Sequence, residues 1–207
     1  GSAITGLVNS ITPFLSVISF LEFGIGAVVQ SVLYSPLAEQ DNIKISEIIT
    51  SANKFFMKLA KILGVYIIIL VIFYPFLINN HFDWIYTAIL IISISISSFA
   101  QYYFGIVDRL LLTADQRGYI QYIAQTITIV INMIACVFLI EMGAGIHLVK
   151  LVTSLVYLFR PFALRMYVNQ NYNINRKIIY SHEPLKQKWN GIAQHIASVV
   201  LTGTDVI

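Results

Sequence analysis

Four polar residues recur along one face of an otherwise apolar segment near the middle of the chain. These are Gln121, Gln125, Thr128 and Asn132, at i, i+4, i+7 and i+11. Residues three and four apart share a face of an α-helix, so the four side chains would form one polar stripe. The stripe is either a contact between packed helices or the wall of a wet cavity that binds sugar hydroxyls. A second stripe consists of Ser93, Ser97 and Gln101.

Ionisable residues in or beside apolar segments form a second group of candidates. Glu22 and Arg160 lie inside apolar runs, Arg109 follows one, and Asp205 is near the last residue. A charge at mid-bilayer costs roughly 2.5–3.5 kcal/mol on insertion scales, so a retained charge usually has a function or a partner. Because a guanidinium donates two parallel hydrogen bonds to phosphate, Arg160 is the first candidate for a phosphate ligand and Arg109 the second. Alternatively, Arg160 snorkels to lipid headgroups and Arg109 pairs with Asp108 at the interface.

Enzyme and metal motifs are absent from the sequence. The four histidines are scattered, Cys136 is the single cysteine, and there is no HExxH, CxxC or GxxxxGK[ST] pattern. We therefore expect no enzymatic activity, no metal and no cofactor. The net charge of +3 is mild, and no basic patch with interleaved aromatic residues suggests a nucleic-acid partner.

The composition predicts which solvent surrounds these residues. The chain of 207 residues is 57% hydrophobic and 11% charged, whereas soluble domains carry roughly 25% charge. A membrane span needs about 20 apolar residues. The sequence therefore predicts an all-α, polytopic membrane helix bundle. The predicted spans are residues 4–33, 62–79, 84–105, 119–140 and 147–168, with a sixth run at 191–207 that is cut off by the end of the chain.

The distribution of basic residues predicts the orientation of the spans. Of the 13 Lys and Arg residues, 12 lie in the joins at 34–61, 106–118 and 169–190 or at the end of the fifth span. Basic residues remain cytoplasmic during insertion, so these joins are predicted to face the cytoplasm. The short joins "NNHFD" and "EMGAG" would be tight turns on the opposite side.

The join at 34–61 is predicted to be a cytoplasmic elbow. Pro36 would stop the first helix, and Asp41 or Asn42 would cap the next one. Apolar residues recur at helical spacing from Ile43, so an amphipathic helix would lie along the headgroups and then enter the membrane. Its three lysines on one face, at positions 54, 58 and 61, would either anchor the helix in anionic lipid or contact a phosphorylated substrate headgroup.

Two stretches resemble a known family. The stretch "LEFGIGAVVQSVLYSPLAEQDNIKI" and the stretch "LLTADQRGYI" resemble segments of polysaccharide and O-antigen flippases, which belong to the multidrug/oligosaccharidyl-lipid/polysaccharide exporter superfamily. "TDVI", which contains Asp205, resembles the start of a Thr-Asp motif in the seventh family helix. The matching positions are Glu22, Gly24, Gly26, Leu33, Tyr34, Pro36, Leu37, Ala38, Asp41, Ala114, Asp115, Gln116, Gly118 and Tyr119.

The resemblance implies a domain organisation. The family has two bundles of six helices in a MATE-like fold. Residues 1–168 would be most of the amino-terminal bundle, family helices two to six. Residues 169–190 would be the cytoplasmic linker, and 191–207 the truncated seventh helix that starts the next bundle. The missing carboxy-terminal half of the same protein is then an expected partner, together with membrane lipids.

The resemblance also implies a function. The chain would take part in moving a lipid-linked oligosaccharide of the polyprenyl pyrophosphate type across the cytoplasmic membrane by alternating access, for cell-surface polysaccharide biosynthesis. One alternative is a cation-coupled multidrug exporter of the same superfamily, whose cavity should be acidic and aromatic. Another is a non-transporting membrane scaffold or assembly subunit, in which the polar stripes are dry helix contacts.

Overall fold

The computed structural model describes most of the chain between residues 19 and 180. The described residues are 6, 8, 9, 11, 19–77, 83–180, 182–186, 189–191, 193, 194 and 197, with only the backbone described at 19–23 and 75–77.

Helices account for most of the described residues. They are α1 (Ser19–Ala38), α2 (Asn42–Leu77), α3 (Trp84–Ala100), a π-helical segment (Gln101–Gly105), α4 (Ile106–Ala114), α5 (Tyr119–Glu141) and α6 (Ile146–Asn171). No strand occurs among the described residues, which form a bundle of about six helices. The predicted all-α bundle is therefore confirmed.

Four helical stretches of the described chain are long and apolar enough to cross a membrane. They are Asn42–Tyr74, Trp84–Ala114, Tyr119–Glu141 and Ile146–Asn171. A shorter apolar helix covers Gly24–Ala38. The predicted spans at 119–140 and 147–168 agree with α5 and α6 within two or three residues. The predicted run at 4–33 is described continuously only from residue 19, where α1 begins, and the run at 191–207 lies largely outside the described residues.

The third span is longer than predicted. The sequence suggested an end at residue 105 and a polar join from 106 to 118, but α3 continues through the π-helical segment into α4 as far as Ala114. The prediction failed because Asp108 and Arg109 were interpreted as loop residues, whereas both lie in a helix. Only residues 115–118 form the turn before α5. There Gln116 has a positive φ of 58°, which reverses the chain.

The elbow is also different from the prediction. Residues 42–77 form one continuous helix of 36 residues, about 54 Å long at ~1.5 Å per residue. The apolar face of its first half does not lie on headgroups, because it is buried against protein: Ile45, Ile48, Ile49, Ala52, Phe56 and Leu59 are at most 4% exposed. These side chains belong to the same core cluster as residues of α1, α4 and α6 and as Leu185.

The predicted cap of this helix is confirmed. The Asp41 carboxylate accepts hydrogen bonds from the backbone N–H groups of Ile43 (3.1 Å) and Lys44 (3.0 Å). These bonds satisfy two of the orphan donors at the helix start. Pro36 lies inside α1, which ends two residues later at Ala38.

The exposed faces of the bundle are apolar. Large hydrophobic side chains point outward from α2, α3, α5 and α6, for example Ile62, Ile92, Ile134 and Phe159. Contiguous apolar surface on this scale is rare on soluble monomers. The four long helices and this surface together are those of a membrane protein.

Candidate functional site: a cavity with two arginines

A small cavity lies where the π-helical segment and α4 pack against α6. Its volume is about 90 Å³, enough for several water molecules. Arg109 of α4 and Arg160 of α6 both line it. The remaining lining residues are Ser97, Ser98, Gln101, Gly105, Ile106, Tyr157, Pro161 and Leu164. Two guanidinium groups 51 positions apart in the sequence therefore meet in one space with hydroxyl and amide groups.

A close approach of two helices builds this cavity. Gly105 ends the π-helical segment and lies directly against Pro161 of α6. A Cβ atom added at Gly105 would lie 2.5 Å from the Pro161 Cβ, closer than carbon atoms can come without displacement. Arg109 is one helical turn after Gly105, and Arg160 is the neighbour of Pro161, so this contact fixes the two arginines relative to each other. Short π-helical segments often mark functional sites.

Arg160 lies within the span by helix length. It is 14 residues from the start of α6, about 21 Å at ~1.5 Å per residue. It is 11 residues from the end of α6, about 16 Å by the same rule. The cavity therefore lies in the half of the bundle nearer the loop 115–118 and the end of α6. We call this end the basic end, because the predicted cytoplasmic basic joins lie there.

A second, wider cavity adjoins the first at Arg109. Its volume is about 400 Å³, and it lies between α1, α4 and the start of α5. Arg109 lines both cavities. The remaining lining residues of the wider cavity are Gly26, Ala27, Gln30, Leu110, Thr113, Gly118, Gln121 and Tyr122. Arg109 therefore lies at the boundary of both cavities, between the start of α5 and Arg160.

The polar stripes divide according to their position along the helices. Ser97 and Gln101 line the arginine cavity, and Gln121 lines the wider one. Farther from the basic end, Ser93 is buried, and its carbonyl accepts a hydrogen bond from the Ser154 hydroxyl. Thr128 is fully buried and donates to its own helix at Ala124 O, 2.7 Å away. Each stripe therefore combines residues that line a cavity with residues that are buried in helix packing.

The remaining candidate residues either do not line the two cavities or lie outside the described part of the chain. Gln125 and Asn132 are half-buried on α5, and the Asn132 amide oxygen is 3.7 Å from the Cys136 thiol. Neither is among the described lining residues of the two cavities. Glu22 lies on α1, but its side chain is outside the described part, and Asp205 lies outside it altogether.

Asp108 does not form the expected pair with its neighbour Arg109. Its carboxylate is fully buried and contacts Arg176 at 2.6 Å and Arg165 at 3.4 Å. Consecutive helical residues point about 100° apart, so Arg109 turns towards the cavities while Asp108 turns towards α6 and the segment after it. Asp108 therefore holds α4 against α6 and against the segment that follows α6. Arg109, on a different side of α4, lines the two cavities.

The segment after α6 crosses the basic end of the bundle; it is described at residues 172–180 and 182–186 and is called the segment 172–186. The Tyr172 hydroxyl donates to Asp115, the Asn175 N–H donates to the Ser46 hydroxyl at 3.0 Å, and the Leu185 side chain is fully buried. Burial and the hydrogen bond to Asp115 both raise the pKa of Tyr172. These contacts join the predicted linker to α2, α4 and the loop before α5.

Several residues at the site were not candidates from the sequence. Tyr157 precedes Arg160 by three positions on α6, and Gln30 follows Gly26 by four positions on α1, so each shares a helical face with a residue that was singled out. Ser98 and Thr113 gave no periodic signal. Tyr157 and Gln30 could have been found from the helical face that each shares with Arg160 or Gly26. Ser98 and Thr113 line the cavities only because of how the helices pack, which the sequence does not reveal.

Comparison of this chain with family models, with curated proteins and with solved structures finds no match.

Proposed function

We propose that this chain is part of a flippase for lipid-linked oligosaccharides of the polyprenyl pyrophosphate type, in the multidrug/oligosaccharidyl-lipid/polysaccharide exporter superfamily. The observation that carries this proposal is that Arg109 and Arg160 line one cavity within the span region. The protein would work as a multi-pass protein of the cytoplasmic membrane, together with the carboxy-terminal half of the same protein.

The chemistry of the cavity fits the anionic part of such a substrate. Two guanidinium groups that line one cavity can both donate hydrogen bonds to the same anion. A pyrophosphate supplies several charges and many acceptor oxygens. Arginine donates two parallel hydrogen bonds to such oxygens, whereas lysine offers a point charge. The small volume of the arginine cavity suits a phosphate group, and the sugar would need more room.

The wider cavity has suitable groups for sugar. The amides of Gln30 and Gln121 both donate and accept hydrogen bonds, as sugar hydroxyls do. The Thr113 hydroxyl adds a further donor and acceptor. A headgroup could therefore move from the basic end past Arg109 towards Arg160, while its isoprenoid tail stays in lipid. In alternating access, this region would open first to the cytoplasm and then to the opposite side as the two bundles rock.

Substitution of Arg160 tests the proposal in the intact protein. In cells that depend on this protein for surface polysaccharide, we expect Arg160→Lys to lose much of the export and Arg160→Gln nearly all of it, at unchanged membrane abundance. Lys150→Gln is the matched control, because it removes one charge from the same helix at a residue that is not among the described lining of either cavity. This control should export normally.

The alternatives predict different results. If Arg160 only snorkels to lipid phosphates, Lys should replace it with near-normal export. Normal export by Arg160→Gln would remove Arg160 from the substrate path. Efflux of cationic drugs, with surface polysaccharide unaffected by deletion of the protein, would contradict the flippase proposal and favour the drug exporter.

A further inference from the structure

A groove on the outer face of α2 lies at the basic end, away from the arginine cavity. Its volume is about 290 Å³. Lys54, Lys58 and Lys61 line one side, and Tyr180 and Glu183 of the segment 172–186 line the other. The remaining lining residues are Ser51, Phe55 and Met57. Two parts of the chain therefore build this groove, which distinguishes it from a row of solvated lysines.

Contacts across the groove hold its two sides together. The Lys54 ammonium lies 4.5 Å from the centre of the Tyr180 ring. The Glu183 carboxylate accepts hydrogen bonds from the Ser51 hydroxyl and, at 3.3 Å, from the Leu185 N–H. Three lysines against one carboxylate give the described lining an excess of two positive charges, so the groove favours an anion.

The same face of α2 becomes apolar immediately after the lysines. The series that starts at positions 54, 58 and 61 continues at Val65, Ile68 and Ile72, which are 58%, 60% and 45% exposed. Steps of three and four residues keep all six positions on one face of the helix. Val65 lies about 6 Å beyond Lys61 and Ile72 about 16 Å beyond it, at ~1.5 Å per residue. A cationic groove is therefore followed by an apolar track along the same face.

We propose that this groove binds the phosphate headgroup of an anionic membrane lipid, with one acyl chain lying along the track at Val65, Ile68 and Ile72. Lysine ammonium groups make strong charge-assisted hydrogen bonds to phosphate, and the predicted cytoplasmic location places them at the leaflet that carries anionic lipid. The apolar track selects a lipid over free phosphate. The bound lipid would also link α2 to the segment 172–186. This inference is independent of the flippase proposal, because none of its residues lines the arginine cavity.

Two charge-matched double variants test the site. Lys58→Gln/Lys61→Gln removes two charges from the groove. Lys177→Gln/Lys186→Gln removes two from exposed lysines of the segment 172–186 that are not among the described lining. Both variants replace exposed side chains, so both should fold. Retention of phosphatidylglycerol is measured by native mass spectrometry of protein extracted from phosphatidylcholine nanodiscs that contain a tenth of phosphatidylglycerol.

The groove variant should retain phosphatidylglycerol about 30-fold more weakly than the unmodified protein, taking ~1 kcal/mol for each basic residue near an anionic surface. The control variant should retain it normally. An equal loss in both variants would show only general charge attraction and would overturn the proposal. Displacement of the lipid by inorganic phosphate at equal concentration would also overturn it, because the groove would then bind a soluble anion rather than a lipid.

Discussion

The contact between Gly105 and Pro161 makes a substitution at Gly105 informative. In Gly105→Ala, the new Cβ would lie 2.5 Å from the Pro161 Cβ and 3.4 Å from its Cα, whereas comfortable carbon contacts are about 3.5–4.0 Å. The π-helical segment and α6 would have to separate by about 1 Å to restore that distance. Arg109 and Arg160 would move apart with them, because each lies within a turn of the contact.

The magnitude follows from two opposing effects. Overpacking of a tight contact costs typically 1–3 kcal/mol, while alanine in place of glycine in a helix contributes about 1 kcal/mol of stability. Gly64→Ala is the matched control, because Gly64 is inside α2 and its added Cβ would lie 3.5 Å from Phe99 Cε2, an ordinary contact. Both variants gain the same helix propensity. The free energy of unfolding should therefore be lower for Gly105→Ala than for Gly64→Ala by about 1–3 kcal/mol.

Equilibrium unfolding by SDS in mixed micelles, followed by far-UV circular dichroism, measures this difference. A second measurement, the affinity for a soluble isoprenyl pyrophosphate such as farnesyl pyrophosphate, reports on the spacing of the arginines and should fall only in Gly105→Ala. Equal stability of the two variants would refute the packing argument. Lower stability with unchanged affinity would show that the contact does not position the arginines.

Three further predictions concern other parts of the bundle. With Cys136 replaced, a cysteine at Met142 and one at Lys186 should react with a membrane-impermeant thiol reagent from opposite sides, and labelling from one side would contradict the predicted topology. Asp108→Asn should lower the free energy of unfolding by about 3 kcal/mol, because it leaves the partly buried Arg165 and Arg176 without their carboxylate. A loss below about 1 kcal/mol in SDS titration would contradict this role of Asp108. The hydrogen bond from the Lys44 N–H lowers the pKa of the Asp41 carboxyl in the folded protein below its ordinary value of 3.8. The stabilisation of the start of α2 by this cap is therefore fully present above pH 3.8, and it is lost as the pH falls through the lower pKa of the folded state. The protection of the amides at the start of α2 against exchange, relative to their intrinsic exchange rate at each pH, should then fall at acidic pH in the natural protein. It should not fall in Asp41→Asn, because asparagine caps a helix without titrating. The same loss of protection in both proteins would show that Asp41 is not its cause.

Periodicity and composition predicted the fold class well. Apolar runs of sufficient length, the capping position of Asp41 and the turn between α5 and α6, where Gly143 has a φ of 76°, are local properties, and local sequence determines them. The extent of α4 was not predicted, because Asp108 and Arg109 carry charges that are typical of a loop. The Asp108 carboxylate is paired with Arg165 and Arg176, which are distant in the sequence, so the sequence does not reveal that this charge is buried in a helix.

The candidate site was predictable only in part. Depth and charge identified Arg160 and Arg109 separately, but their common cavity depends on the contact between Gly105 and Pro161, which no periodic signal reveals. The stripe on α5 could not be divided by spacing alone, since Gln121 and Thr128 lie on the same helical face. Their different environments follow from which helix lies opposite each of them. The burial of the elbow depends on side chains of α1, α4 and α6 and on Leu185, all distant from it in the sequence or on other helices.

The central claim is that Arg109 and Arg160 bind one phosphate-bearing headgroup together, and a double-mutant cycle tests it most directly. Binding of a polyprenyl pyrophosphate to the protein in phosphatidylcholine nanodiscs is measured for Arg109→Gln, Arg160→Gln and the double variant. Because both side chains would contact one ligand, we expect each single variant to weaken binding at least tenfold. We also expect the double variant to deviate from additivity by more than about 0.5 kcal/mol. Strictly additive effects, or unchanged binding in either single variant, would contradict binding of one headgroup by both arginines.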